Sequence, residues 1–109
     1  MSTPLKPITD LLYEIENTLK YPVAYSHFNK PHKPPYCVYT GTGQNTLDAD
    51  DTYYWRRDTY SVEYYFDKKD AAKEASIEDT ILANGWKYTK SDDVYIETEG
   101  IYVIYYDLN

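Results

Sequence analysis

The sequence predicts an α+β fold: a mixed, mostly antiparallel sheet with two helices packed on it, in the order α-β-β-β-α-β-β-β. Two segments repeat apolar residues at helical spacing, and six shorter apolar segments lie between turn residues. Of the 109 residues, 15 are tyrosine, which favours strands and sheets with one wet face. The length predicts one domain over residues 1–109, with a flexible N-terminus at residues 1–7 and a long exposed loop at residues 41–51.

The first helix is predicted from an apolar stripe that begins after Pro7. The members of the stripe recur every three or four residues and are Ile8, Leu11, Leu12, Ile15 and Leu19. Thr9 or Asp10 is a suitable cap, and the helix must end before Pro22 because proline disfavours helix in the residue before it. A helix of about three turns is too short to be stable alone, so it needs a sheet to lie on.

The second helix is predicted between Asp67 and Gly85. Asp67 is a suitable N-cap, and Gly85 can adopt the left-handed conformation that ends many helices. The residues expected to face the core are Ala71, Ala75, Ile77, Ile81 and Leu82. Glu74 and Glu78 fall within the same arc, so this helix is expected at a rim of the core.

Six strands are predicted from short apolar segments bounded by turn residues. They cover residues 22–28, 36–40, 52–66, 86–89, 94–97 and 101–106, and the third is either one long strand or two strands joined by a bend near residues 56–58. The second half of the third strand alternates and places on one face Tyr60, Val62, Tyr64 and Phe66. The last strand is apolar on both faces, which predicts a central position or a partner that covers its second side.

The formal net charge of −7 disfavours binding to nucleic acid or to an anionic membrane, since both depend on Lys and Arg. Stacking of bases on the tyrosine-rich sheet is the alternative, and the negative charge favours a tyrosine-packed core or interface instead. No stretch approaches the ~18 apolar residues that span a bilayer, and the N-terminus lacks a signal-peptide core. The sequence therefore predicts a soluble protein made in a cytoplasm.

No catalytic, cofactor-binding or metal-binding residue is predicted. The regular spacing of His27, His32 and Cys37 suggests a metal site, but a structural zinc site needs four ligands and these residues flank a proline loop. Exposed loop histidines and a buried, inert thiol are favoured instead. The acidic run that begins at Asp48 does not match an EF-hand loop, because the required Gly and Glu are missing.

The polar, acidic segment at residues 41–51 is the leading candidate for a protein contact, because long loops in compact domains are usually functional or disordered. Arg56 and Arg57 are suited to a partner's carboxylates, although ion pairs with nearby acids of the chain are the simpler explanation. The candidate interface residues are Thr42, Gln44, Asn45, Asp48, Asp50, Asp51, Arg56 and Arg57. We expect deletion of residues 42–51 to preserve the fold and abolish assembly.

A group of short segments extends the interpretation to function. They are Pro22-Val23-Ala24-Tyr25-Ser26-His27-Phe28, Lys33-Pro34-Pro35-Tyr36-Cys37-Val38-Tyr39, Asp48-Ala49-Asp50-Asp51, Tyr60-Ser61-Val62-Glu63-Tyr64-Tyr65 and Asp67-Lys68-Lys69-Asp70. Together they resemble the tail-terminator, or tail-to-head-joining (tail completion), minor structural proteins of long-tailed bacteriophages and prophages of Gram-positive bacteria. The resemblance extends over residues 11–107.

The resemblance implies a tail-terminator-like fold and a ring of six copies on the head-proximal end of the tail tube. Such a ring stops tube polymerisation and docks the head connector, while DNA passes through the lumen without specific binding. The implied partners are further copies of this chain, the tail-tube protein and the head-connector proteins, with no catalytic residue, cofactor or membrane involved. The implied location is the virion neck, after assembly in the host cytoplasm. An acidic chain suits a conduit that must not retain DNA.

Three other functions remain open at this point. A head-completion or adaptor protein of the same phage neck would have similar size and charge. An acidic mimic of DNA that inhibits a nuclease or repressor would space its carboxylates like phosphates, whereas the acids here are scattered among lysines. An enzyme would need a cluster of titratable groups, and the sequence shows none.

Overall fold

A computed structural model describes residues 7–17, 19–27, 33–49 and 53–108. These residues form α1 (Ile8–Asn17), β1 (Val23–Tyr25), β2 (Tyr36–Ala49), β3 (Tyr53–Phe66), α2 (Ala71–Ala83), β4 (Tyr88–Lys90), β5 (Val94–Ile96) and β6 (Ile101–Leu108). The predicted α+β class, with two helices and a mostly antiparallel sheet, is confirmed. The predicted flexible N-terminus lies, apart from Pro7, outside the described residues.

The strands form one sheet in the order β1-β2-β3-β6-β4, with β5 also paired to β6. β1 runs parallel to β2, and every other pairing is antiparallel. β4 and β5 pair with the two ends of β6, while β3 pairs along its other edge. β6 is therefore central, as its apolar faces predict.

One face of the sheet carries both helices. The alternation predicted for β3 is confirmed, because Val62, Tyr64 and Phe66 are buried and Tyr60 packs against them. The residues opposite them on β6 extend the same core and are Ile104, Tyr106 and Leu108. α1 buries Leu11, Leu12 and Ile15 against this face. The predicted cap of α1 is wrong, because the helix begins at Ile8, and the Asp10 N–H already donates to the Pro7 carbonyl at 3.0 Å.

α2 begins three residues later than predicted. Asp70, not Asp67, is its N-cap, because the Asp70 carboxylate accepts hydrogen bonds from the N–H groups of Ala72 and Lys73. Gly85 has a φ of +87° directly after the helix, which confirms its predicted role.

The buried face of α2 also differs from the prediction. The side chains that face the core are Glu74, Ile77 and Ile81, whereas Leu82 is 49% exposed. Residues 74, 77 and 81 recur at helical spacing, and Leu82 lies about 100° further around the helix. A glutamate is tolerated in this stripe because two lysines reach it.

These lysines come from either side of α2 and form a network around the Glu74 carboxylate. Lys69 Nζ lies 2.9 Å from Glu74 Oε2, and Lys90 Nζ lies 3.0 Å from Glu74 Oε1. Lys90 also contacts Glu78 at 2.8 Å, and the Tyr106 hydroxyl donates to Glu78 at 2.8 Å. The network ties α2 to β4 and β6.

The opposite face of the sheet carries tyrosine side chains instead of helices within the part of the chain that the structure describes. Val38 and Val103 are buried on that face, beside the rings of Tyr36 and Tyr65, which stack with centroids 4.9 Å apart. The Tyr65 hydroxyl donates to Glu63 at 2.7 Å. Apolar residues on the second face of β2 and β6 are thus covered by side chains of the sheet itself.

Several strand bounds differ from the predicted ones. β1 is confined to Val23–Tyr25, and β4 begins at Tyr88, two residues after Trp86. The Trp86 N–H donates to the Ile81 carbonyl at 3.3 Å, so this residue belongs to the turn that follows α2. Neither helix in the described ranges is long and apolar enough to cross a membrane.

Candidate assembly surface

β2 and β3 continue together well beyond the rest of the sheet. β6 pairs with β3 only from Tyr60 to Phe66, whereas the β2–β3 ladder runs on to the pair Ala49–Tyr53. We call residues 42–49 and 53–59, which lie beyond this limit, the ribbon. Within the described residues the ribbon has two strands and no helix against it.

The ribbon accounts for the elongated shape of the molecule. Seven residue pairs, from Gly43–Thr59 to Ala49–Tyr53, follow the bulge between Gly41 and Gly43. At about 3.4 Å per residue, these pairs span roughly 20 Å. The principal extents of the molecule are 51 × 27 × 25 Å, so the long axis is nearly twice the others.

The base of the ribbon is held by polar cross-strand contacts. The Thr42 hydroxyl donates to the Thr59 hydroxyl at 2.8 Å, and Gln44 Nε2 donates to Asp58 Oδ1 at 2.9 Å. Thr42 and Gln44 are exposed. Exposed polar pairs of this kind contribute only about 0.2–1 kcal/mol each, so they specify register more than they stabilise the fold.

The prediction of a loop at residues 41–51 is therefore wrong for residues 41–49, which are strand. Glycine, asparagine and aspartate are depleted in strands, so their frequency in residues 41–49 predicted a loop where the structure has a paired strand. The missed signal lies in the neighbouring segment. A strand over residues 52–66 is far longer than one over residues 36–40, so half of it would lack a ladder partner unless residues 41–49 supplied one.

The structure brings most of the candidate interface residues to the ribbon. In the ladder, Asn45 lies opposite Arg57, and Asp48 lies opposite Tyr54. Arg56 lies opposite Thr46. Asp50 and Asp51 lie outside the described residues. Gln44 contacts Asp58, an acid outside the predicted set of interface residues.

The two described residues that were considered for a metal site differ in their exposure to solvent. Cys37 is fully buried in the core, and burial raises the pKa of its thiol to about 12, so the thiol is inert near neutral pH. His27 is exposed beyond the end of β1, and His32 lies outside the described residues. Among the residues described, no three His, Cys, Asp or Glu side chains gather as metal ligands.

The most connected titratable groups belong to the network around Glu74. Hydrogen bonds to Glu74 and Glu78 raise the pKa values of Lys69 and Lys90 above their ordinary range. Although burial raises the pKa of Glu78, hydrogen bonds from Lys90 and Tyr106 hold it below its ordinary value. Each charge faces an opposite charge, which is the arrangement of a stabilising network.

No model of a known protein family matches this chain, and no curated protein is significantly similar to it. The feature of the described fold with no role in the core is the ribbon.

Proposed function

We propose that this chain is a subunit of a phage tail-terminator ring, which assembles through its ribbon and acts without catalysis. Copies of the chain would form a closed ring on the head-proximal end of the tail tube, stop tube polymerisation and dock the head connector. The proposal combines the resemblance of the sequence to that family with the shape and charge of the molecule.

The observation that carries the proposal is the two-stranded extension of β2 and β3. An isolated two-stranded ribbon is marginally stable, because it has no sheet or helix against which to bury a face. Exposed strand edges also favour unwanted association, so a ribbon of this length is expected to have a specific binding partner. Docking on another subunit supplies the missing contacts and satisfies the open edges.

The net charge of −7 supports the same proposal. A ring that conducts DNA works best if its wall does not attract phosphate, since each cation that contacts a phosphate adds to the affinity. The chain has 18 acidic residues and 11 Lys and Arg residues, and five of these charges lie in the network around Glu74, where Lys69 also pairs with Asp93 at 3.0 Å.

The test is an early stop codon in the gene for this chain, in the phage or prophage that encodes it. Electron microscopy of induced lysates should then show tails of uncontrolled length beside separate, DNA-filled heads. Complementation by the wild-type chain should restore virions, and complementation by a chain without the ribbon should not.

Two other results would contradict the proposed role as a terminator. Detached tails of normal length would contradict a terminator and indicate a head-completion or adaptor protein. Intact, infectious virions without this chain would contradict any structural role.

A further inference from the structure

Two highly exposed tyrosine side chains in the N-terminal half of the described chain line one groove. The groove, about 290 Å³ in volume, lies between α1 and the β1 edge of the sheet. We call it the α1–β1 groove, and its main lining residues are Leu12, Tyr13, Glu16, Val23, Tyr25 and Tyr39. Tyr13 is 69% exposed and Tyr25 is 61% exposed. Exposed tyrosines in a concave site are typical of residues that dominate protein interfaces.

The strand at this groove has an open edge. β1 is bonded to β2 on one side, where the Ser26 N–H donates to the Tyr39 carbonyl at 2.8 Å and the Cys37 N–H donates to the Pro22 carbonyl at 2.8 Å. No described strand pairs with its other side. An open edge next to side-chain pockets is the arrangement that accepts an added strand.

The backbone is strained three residues before β1 and directly after it. Lys20 and Ser26 each have a φ of +64°, in the left-handed region that non-glycine residues seldom adopt. These are the only non-glycine residues with positive φ in the part of the chain that is described. Strained backbone of this kind concentrates at sites of binding, and here it brackets the open strand.

The ribbon has the complementary properties. Residues 53–59 of β3, which we call the β3 arm, pair with β2 but not with β6. The β3 arm therefore also has an open edge within the described residues. Its sequence, Tyr53-Tyr54-Trp55-Arg56-Arg57, contains the only two arginines of the chain. α1 faces the groove with Glu16 and carries a second exposed acid, Asp10.

We propose that the α1–β1 groove is the acceptor for the ribbon of a second copy of this chain, with the β3 arm added to the open edge of β1. The inference rests on the proposed function, since it supplies the contact by which the ring would form. The contact joins two different surfaces, so each copy is both donor and acceptor. Such head-to-tail contacts close into rings when the rotation allows.

The first test compares two exposed tyrosines on opposite edges of the sheet. Tyr25→Arg places a positive charge in the groove, where it would repel the arginines of the β3 arm of a second copy. Tyr95→Arg serves as the matched control. Tyr95 is 53% exposed and its ring lies 5.0 Å from Tyr102, much as Tyr25 lies 5.1 Å from Tyr39. In sedimentation velocity, Tyr25→Arg should weaken self-association by about tenfold or more, and Tyr95→Arg by less than about twofold.

A second acceptor variant guards against a local effect on folding. Tyr13→Arg changes the α1 wall of the groove and leaves β1 intact. It should weaken self-association to a similar extent while the urea midpoint stays at the wild-type value. Normal self-association of both variants would overturn the inference, as would equal weakening by Tyr95→Arg.

The decisive test mixes two defective chains. In the donor-defective chain, Asn-Gly replaces residues 42–59 as a short turn between Gly41 and Tyr60. The acceptor-defective chain is Tyr25→Arg. At a concentration between the dissociation constants of the wild-type contact and the Tyr25→Arg contact, each alone should sediment as a monomer. The mixture should form a 1:1 dimer, because one intact ribbon then meets one intact groove and no further contact can follow.

The outcomes distinguish this inference from the proposed function. A mixture that stays monomeric, or a wild-type chain that is monomeric at every concentration, overturns the ribbon-to-groove contact. The role as terminator is judged separately by the length of tails made without the chain. Failure of one test leaves the other result interpretable.

Discussion

The ribbon and the rest of the described molecule, which we call the body, share β2 and β3 but are stabilised by different contacts. In the body, β3 has partners on both edges and a helix-covered face, and Val62 and Tyr64 are at most 1% exposed. Along the ribbon, the same strand has one partner, and its described base is held by exposed Thr42 and Gln44. The contacts within the body account for the folding of the chain. The ribbon has no comparable contacts with the body, so its role is expected to lie in binding another molecule.

The largest effect on stability is expected in the body. Ile81→Ala removes a fully buried side chain of α2 and leaves a cavity, so it should lower the free energy of unfolding by about 2–5 kcal/mol. Leu82→Ala, one residue along the same helix and 49% exposed, should cost less than about 1 kcal/mol. Urea midpoints at constant m-value measure both. Equal losses would contradict the observed face of α2.

A smaller effect is expected in the network around Glu74. Lys90→Met leaves the Glu74 carboxylate, which is 3% exposed, with Lys69 as its remaining cation. Loss of a hydrogen bond to a buried charge should cost about 2 kcal/mol. Lys87→Met, at an exposed lysine before β4, should change stability by less than about 0.5 kcal/mol. A neutral Lys90→Met would show that Lys69 alone satisfies the carboxylate.

The same network predicts an acid dependence of stability. Because the pKa of Glu78 in the folded state lies below its ordinary value of 4.5, its stabilisation is complete above pH 4.5 and is lost as the pH falls through the folded-state pKa. Glu78→Gln should therefore lower the free energy of unfolding by about 1 kcal/mol at pH 7 and by less at pH 3. Asp79→Asn, at an exposed neighbour, is the control. A difference that is constant with pH would contradict this role for Glu78.

The smallest effect on stability is expected at the ribbon. Gln44→Ala removes the contact with Asp58 and should lower the free energy of unfolding by less than about 0.5 kcal/mol. The same urea series measures it beside Ile81→Ala. A loss above about 1 kcal/mol would mean that the ribbon stabilises the body, and the distinction between the two regions would fail.

The sequence predicted the body better than the ribbon for a physical reason. In the body, helix spacing and strand alternation record which residues are buried, so Leu11, Ile15, Tyr64 and Phe66 were assigned correctly. The error at Glu74 and Leu82 arose because periodicity counts apolar residues and does not anticipate lysines brought from Lys69 and Lys90.

The ribbon was harder to predict because one of its strands has the composition of a loop. Residues 41–49 carry no apolar alternation, so the sequence offered turn residues and no period. The α1–β1 groove was missed altogether. Tyr13 and Tyr25 belong to a helix and a strand that are not adjacent in the sequence, and only the fold places them on one groove.

The central claim is that the ribbon serves assembly and contributes little to the fold of the body. Sedimentation velocity of the chain in which Asn-Gly replaces residues 42–59 tests it most directly, because one experiment reports both mass and compactness. We predict a compact monomer under conditions in which the wild-type chain assembles. Assembly like that of the wild type, or an expanded and unfolded monomer, would contradict the claim.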